Sequence, residues 1–319
     1  MTITRELGRT GIQVSPIGLG CMQFAGPGMF PPLPQSQVDQ IIKAALDGGI
    51  TWFDTAEMYG RGKSERGLSA GLQQAGITPG EVTVATKWAP PGRTAKSIER
   101  TVGDRLAALD PFGVDLHQIH FPVGGFSSIR RQLRAMAELV EAGKVRAVGV
   151  SNFSARQMEK AQNELAKHGI PLASNQIQIN LLRRKIETNG VLDAARRLGV
   201  TLIAYSPLAS GMLTGKFHDD RSLVADIPRL RRVINGFTVR RLNRIEPLID
   251  GLREIAAAHQ ATPSQVALAW LVTHYGDTVV AIPGASKPHQ ADEAAGALRL
   301  DLSAEETTRL ADLSTAVTH

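Results

Sequence analysis

Apolar residues recur at helical spacing in three stretches of the chain: Val38, Ile41, Ile42, Ala45 and Leu46 in 38–48, Ile98, Val102, Leu106 and Leu109 in 97–109, and Ile129, Leu133, Met136, Ala137 and Val140 in 128–142. This period predicts amphipathic helices, and Gly48, Gly113 and Gly143 follow them as C-terminal stops. Around these helices run short β-type segments: PIGLGC, TWFDT, VTVATK, VDLHQIHF, VRAVGVSN, ASNQIQIN, VTLIAYS and TVVAIPG. Eight short strands largely alternating with helices predict parallel pairing through helical crossovers, either a doubly wound sheet or a closed (β/α)8 barrel.

Polar residues at the strand ends separate the two. Asp54, Lys87, His120, Ser151, Gln176 and Tyr205 follow one another at intervals of 33, 33, 31, 25 and 29 residues. Each ends its strand, on the face where barrel enzymes assemble their sites. A doubly wound dinucleotide fold requires G-x-G-x-x-G after its first strand, but PIGLGCMQF supplies Gly18 and Gly20 and then Gln23 in the third position. The prediction is an α/β chain forming a (β/α)8 TIM barrel, one domain over residues 1–319. Two segments exceed a minimal unit. Residues 25–37 carry Pro27, Pro31, Pro32 and Pro34 and read as a semi-rigid loop over the barrel mouth. Residues 217–245 follow the seventh strand and hold seven arginines, a place where barrels often serve phosphate groups.

Composition adds little to this picture. Hydrophobic residues at 43% and charged residues at 21% are those of a globular chain, and the net charge of +6 is spread too widely to specify a partner. A lone Cys21 excludes an intramolecular disulfide and a cysteine-based zinc site. No apolar run approaches the ~18 residues a membrane span needs, and the first residues lack the apolar core of a leader. The expectation is a cytoplasmic protein with neither membrane nor nucleic-acid partners. The other histidines share no spacing and H-E-x-x-H is absent, so no bound metal is expected.

The strand-end residues suggest specific chemistry. A lysine in a barrel rim is either a Schiff-base nucleophile, which needs a depressed pKa, or a charged electrostatic partner. Asp54 ends the preceding strand and can keep Lys87 protonated. A cation beside a phenol favours phenolate, which predicts a lowered pKa for Tyr59 on the same rim, as a general acid requires. His120, one strand on, can hydrogen-bond a carbonyl oxygen lying beside that phenol. Taken singly, each residue has a plain structural use as a cap, a packing group or a solvated side chain. Four on three consecutive strand ends make a candidate site.

GITWFDTAEMYGRGKSE, the Lys87 strand end, DLHQIH, GVSNF, SNQIQINLL, YSPLASGMLTGK and IPGASKPHQADEAAGAL occur in this order along essentially the whole chain. Together they resemble the aldo-keto reductase superfamily, in particular the branch of bacterial and plant reductases and potassium-channel β subunits. The resemblance implies a (β/α)8 barrel with an N-terminal β-hairpin and extra helices near the C-terminus. It also implies NADPH-dependent reduction of small-molecule aldehydes or ketones. Tyr59 would be the proton donor, Lys87 would lower its pKa, Asp54 would pair with Lys87, and His120 would orient the substrate and assist proton transfer.

The cofactor residues come by the same route. Ser151, Asn152 and Gln176 match positions that bind the nicotinamide amide, and Tyr205 matches the position that stacks on the ring. Ser206, Pro207, Leu208, Ala209, Ser210 and Lys216 follow the pyrophosphate. Gly284 permits close backbone approach, Ser286 and Lys287 suit a 2′-phosphate, and Gln290 and Glu293 lie beside the adenine. Ala294 departs from the family's usual Asn and removes one adenine contact. Met22, Phe24, Met58, Trp88 and Phe121 are the expected apolar wall of the substrate pocket, and Ser64 is expected to cap the helix after Tyr59. Two other readings stay open: a redox-sensing NADP(H)-binding regulatory subunit, and a Schiff-base lyase using Lys87.

Overall fold

The computed structural model describes residues 3–26 and 33–318. The eight expected runs become eight parallel strands: β3 (Leu19–Gly20), β4 (Trp52–Asp54), β5 (Thr83–Trp88), β6 (Leu116–Ile119), β7 (Ala147–Ser151), β8 (Leu172–Gln178), β9 (Thr201–Tyr205) and β10 (Val279–Ile282). They are ordered β3 to β10 without a crossover. Parallel bridges Ile17–Ala281 and Gly20–Gly284 join the first strand to the last, with hydrogen bonds from Gly18 N to Ala281 O (2.8 Å), Ala281 N to Pro16 O (2.9 Å) and Gly20 N to Pro283 O (2.9 Å). The sheet is therefore a barrel, as expected.

The helices follow from local chemistry. The three periodic stretches form α1 (Gln35–Asp47), α3 (Lys96–Leu109) and α4 (Ile129–Glu141), and α2 (Lys63–Gln74) lies between the first two. After α5 (Ala155–Leu165) and α6 (Val191–Leu198), residues 217–245 do not form an open loop. They contain most of α7 (Lys216–Asp219), all of α8 (Arg229–Ile234) and the start of α9 (Val239–Ala258). The chain then runs through α10 (Pro263–His274), α11 (Pro288–Gly296) and α12 (Ala304–Thr318). Capping boxes at Ser154 with Gln157 and at Thr262 with Gln265 start α5 and α10 by satisfying otherwise orphaned backbone N–H groups. Of the proline-rich stretch, residues 27–32 lie outside the described residues, while Gln35–Gln37 already belong to α1. No helix among the described residues is long and apolar enough to cross a membrane.

Strand alternation divides the side chains into two layers. Phe53, Val84, Trp88, Ile119, Val148, Val150 and Leu202 join the large core between strands and helices. Trp52, Ala85, Leu116, Ala147, Ala173, Ile203 and Val280 form a second core together with Leu7, Ile12 and Val14. These last three belong to the N-terminal hairpin of β1 (Arg5–Glu6) and β2 (Gln13–Val14), which plugs the end of the barrel where the strands begin. Inward positions nearer the strand ends are polar, and there the candidate residues lie.

Candidate active site

Asp54 and Lys87 come from adjacent strands, both buried, and form an ion pair inside the barrel. Asp54 Oδ2 also accepts hydrogen bonds from Gln118 Nε2 (2.9 Å) and Gln176 Nε2 (2.9 Å), while Lys87 Nζ donates to the Thr55 carbonyl (2.8 Å). One carboxylate thus connects four strands. Gln118 escaped the sequence reading, although its period-two relation to Leu116 and His120 in DLHQIH marks it as inward. Gln176 reaches this hub because the β7–β8 register shifts between Val148 and Gly149. Without that irregularity, strict alternation from Ala173 would turn Gln176 outward.

Tyr59 stands on the turn after β4, only 9% exposed, and packs on Ala25, Ala56 and Met22. The Lys87 ammonium lies 5.1 Å from the phenol ring centroid, and the His120 ring meets Tyr59 edge-on at 5.7 Å. Gly60 lets the turn close: its φ is 63°, and a Cβ there would sit 2.2 Å from the Ala25 carbonyl. Ser64 does not cap α2, whose N-cap is Gly62. Its hydroxyl donates instead to the Cys21 carbonyl (2.7 Å) and accepts from Thr55 Oγ1 (2.8 Å), tying the Tyr59 turn to β3 and β4.

The electrostatics correct one expectation. Burial pushes the Tyr59 phenol above its usual 10.0, and the nearby Lys87 ammonium offsets this only in part. The phenol is therefore protonated at neutral pH. Burial works against the Lys87 ammonium, but Asp54 and Tyr59 outweigh it and raise the lysine above 10.5. Burial, with repulsion from Lys87, lowers His120 to about 3, so its imidazole is neutral. His120 Nδ1 is buried without a hydrogen-bond partner, and Phe121 stacks on the ring at 4.4 Å.

A second group lies on the neighbouring strand ends. Ser151 Oγ (2.9 Å) and Asn152 N (2.8 Å) both donate to the Gln176 carbonyl, Asn152 Nδ2 donates to Ser151 Oγ (3.0 Å), and the Tyr205 hydroxyl donates to Asn152 Oδ1 (3.1 Å). Beyond β9, Ser206, Ala209 and Ser210 have φ of 49°, 49° and 58°. Leu208 at φ −96° is followed by left-handed Ala209, whose N–H donates to the Ser206 carbonyl (3.0 Å). Pro207 lies within this run. Ser210 Oγ donates to Asn235 Oδ1 (3.1 Å), joining it to the helical insertion, and Lys216 opens α7 with its ammonium 4.9 Å from the Phe217 ring.

After β10, Gly284 lies against Gln23, whose amide nitrogen would be 2.2 Å from an added Cβ. Gln290 Oε1 accepts from Ser286 N (2.8 Å), Ser286 Oγ (3.2 Å) and Lys287 N (3.2 Å), holding the entry to α11. Glu293 is half-buried and Ala294 buried on that helix. The expected apolar wall is only partly assembled. Met22 touches Tyr59, Phe121 covers His120, Phe24 is buried in the 3-10 turn Met22–Ala25, and Met58 is 46% exposed. Trp88 is not part of the wall: next to inward Lys87 it must point outward, where its indole donates to Ser97 Oγ of α3 (3.1 Å).

Behind the strands, Glu65 accepts from Thr86 Oγ1, and burial raises its carboxyl from 4.5 to about 7. Between these values the folded protein keeps a proton that the unfolded chain has lost, so this residue's contribution to stability falls as pH rises through the window. Glu65→Gln is accordingly expected to gain about 3 kcal/mol relative to the parent at about pH 8 compared with about pH 4, measured by urea unfolding. An identical difference at the two pH values would disprove the burial of an ionising carboxyl here.

Comparison with known proteins agrees with this geometry. A model of the aldo/keto reductase family matches residues 16–315. An oxidoreductase of Mycobacterium tuberculosis is 38% identical over 95% of this chain and 90% of its own. The chloroplastic pyridoxal reductase of Arabidopsis thaliana is 32% identical over 94% of this chain and 83% of its own. Among solved structures, a glycerol dehydrogenase from Gluconobacter oxydans superposes with a TM-score of 0.85 at 29% identity, covering 99% of this chain and 96% of that one. An eight-stranded barrel, a family match across nearly its full length and relatives above 30% identity lead to one assignment: the chain belongs to the aldo/keto reductase family.

Proposed function

We propose that this protein reduces the carbonyl group of small aldehydes or ketones with NADPH, and that Tyr59 gives the proton to the carbonyl oxygen. The observation that carries this reading is a buried, protonated phenol beside a lysine kept charged by Asp54 and facing a neutral histidine. His120 can offer an N–H to the substrate oxygen but has no imidazolium proton to give at neutral pH, which leaves Tyr59 as the acid. As the phenol loses its proton, the Lys87 ammonium stabilises the phenolate across a site that excludes water. The same charge argues against a Schiff-base role, since an amine nucleophile must be neutral.

The residues present fit a nicotinamide dinucleotide by the chemistry of their donors. Ser151, Asn152 and Gln176 offer hydroxyl and amide groups at adjacent strand ends, suited to a carboxamide. The left-handed backbone at Ser206, Ala209 and Ser210 and the Lys216 ammonium suit a diphosphate, and Ser286 and Lys287 suit a further phosphate on the ribose. When bound, the nicotinamide supplies a hydride to the carbonyl carbon.

The test follows nicotinamide absorbance with aldehydes, glyoxals, pyridoxal and quinones, using NADPH and NADH in parallel. Oxidation of NADPH by at least one carbonyl class is expected, with NADH slower. Faster turnover with NADH would overturn the cofactor assignment. Binding of NADPH without turnover on any carbonyl would instead favour the redox-sensing regulatory reading.

A further inference from the structure

Glu57, two residues before Tyr59 on the same turn, is only 16% exposed in its side chain and makes contacts that no solvated loop carboxylate needs. Its Oε1 accepts from Ala89 N (2.7 Å) and from Arg93 Nη1, and its Oε2 accepts from Arg105 Nη1. Its own backbone N donates to the Lys87 carbonyl (3.3 Å), and Gly62 N returns to its carbonyl (2.9 Å). The carboxylate therefore joins the Tyr59 turn to the end of β5, immediately beyond Lys87.

The two arginines are themselves fixed from several sides. Arg93 Nε donates to Ser97 Oγ (3.1 Å), which also accepts from the Trp88 indole, and Arg93 Nη2 donates to Thr101 Oγ1 (2.7 Å). Arg105, with 1% of its side chain exposed, donates from Nη2 to Thr101 Oγ1 (2.9 Å) and from Nε to His117 Nε2 (3.2 Å). His117 lies on β6, three residues before His120, and burial and Arg105 hold its pKa well below 6.5, so its ring remains an acceptor. The network touches the chain beside three of the four candidate residues: Glu57 beside Tyr59, Trp88 and Ala89 beside Lys87, and His117 beside His120.

We infer that Glu57, gripped by Arg93 and Arg105, is a positioning residue that sets the Tyr59 phenol against Lys87 and His120. This rests on the carbonyl-reductase reading above. Glu57 touches none of the reacting groups; it acts through the turn. Its charge matters because two guanidiniums and one backbone N–H converge on it, and a neutral amide cannot satisfy all three.

The test compares the wild type with Glu57→Gln, Arg93→Met and Arg93→Lys, reading kcat, KM for the carbonyl, NADPH affinity by fluorescence titration, and the pH profile of kcat. Glu57→Gln is expected to lower kcat by about 10- to 100-fold with NADPH affinity retained, as misplacement of an acid does. Its alkaline limb should move to higher pH, because a phenol drawn away from Lys87 loses the charge that holds its pKa down. Arg93→Met should show a smaller loss in the same direction, partly restored in Arg93→Lys, and it carries the test if Glu57→Gln fails to fold. A wild type that turns over carbonyls while Glu57→Gln, or in its place Arg93→Met, keeps the same kcat and pH profile overturns the positioning role alone. A wild type inactive on every carbonyl overturns the reductase reading and this inference with it.

Discussion

Tyr59→Phe is expected to lower kcat by about 10²- to 10⁴-fold, the usual worth of a positioned general acid, while NADPH still binds. The substitution removes one oxygen and keeps the ring that packs on Ala25, Ala56 and Met22. Lys87 retains Asp54 and the Thr55 carbonyl as partners, so the interior charge stays compensated. The fold should consequently change by no more than about 1 kcal/mol, the net worth of a typical hydrogen bond. Steady-state kinetics and a cofactor titration on the same preparation decide the matter. Unchanged turnover in Tyr59→Phe would remove it from the chemistry, since His120, neutral with a pKa of about 3, cannot serve in its place.

Asp54→Asn is expected to cost about 3–5 kcal/mol, the range for breaking a buried ion pair from one side. The lysine left behind is fully buried, and the one acceptor oxygen of Asn can serve either Lys87 or the Gln118 and Gln176 pair, so one of the two sides loses its partner. Adding Lys87→Met should recover most of the stability, because the uncompensated charge leaves with it, but not the activity. In Asp54→Asn alone, loss of the counterion lowers the folded-state pKa of Lys87 below its unfolded value. The unfolded chain then binds more protons, and the deficit shrinks as pH rises through that interval. Urea unfolding of the two single variants and the double variant measures the coupling. Simple additivity would mean that the ion pair contributes nothing as a pair.

Much of this arrangement could be read in the residues. The intervals from Asp54 through Tyr205 reveal a repeating strand–helix unit, and strand ends become barrel rim whatever the details of packing. The candidate set Asp54, Tyr59, Lys87 and His120 follows from those ends and from a Tyr in a glycine-punctuated turn. Facing was harder to read. In VTVATKW both sides of the strand are buried, so hydrophobicity alone does not say that Lys87 points in and Trp88 out.

The Tyr59 pKa lies above its usual value, contrary to what the sequence suggests, for a related reason. A neighbouring lysine is visible in the sequence, but burial of the phenol depends on Ala25 and Met22, which come from a distant segment. Ser64 resembles a cap by type and position, yet the contact that matters is with Cys21, far back along the chain. Glu57, opaque as a lone acidic residue on a loop, makes sense only once α3 brings Arg105 to it and the segment before that helix brings Arg93.

The seam at which residues 16–20 meet residues 281–284 bears on how the protein is made. Each other pair of neighbouring barrel strands is separated by one crossover, but this pair is separated by nearly the whole chain. During synthesis the successive βα units can pair as they emerge, whereas β3 must wait with an unpaired edge until β10 has left the ribosome. Such late, non-local closure is slow and leaves an edge open to wrong partners. The seam is thus the strand pairing that can form last, and until then it leaves an edge of the sheet exposed.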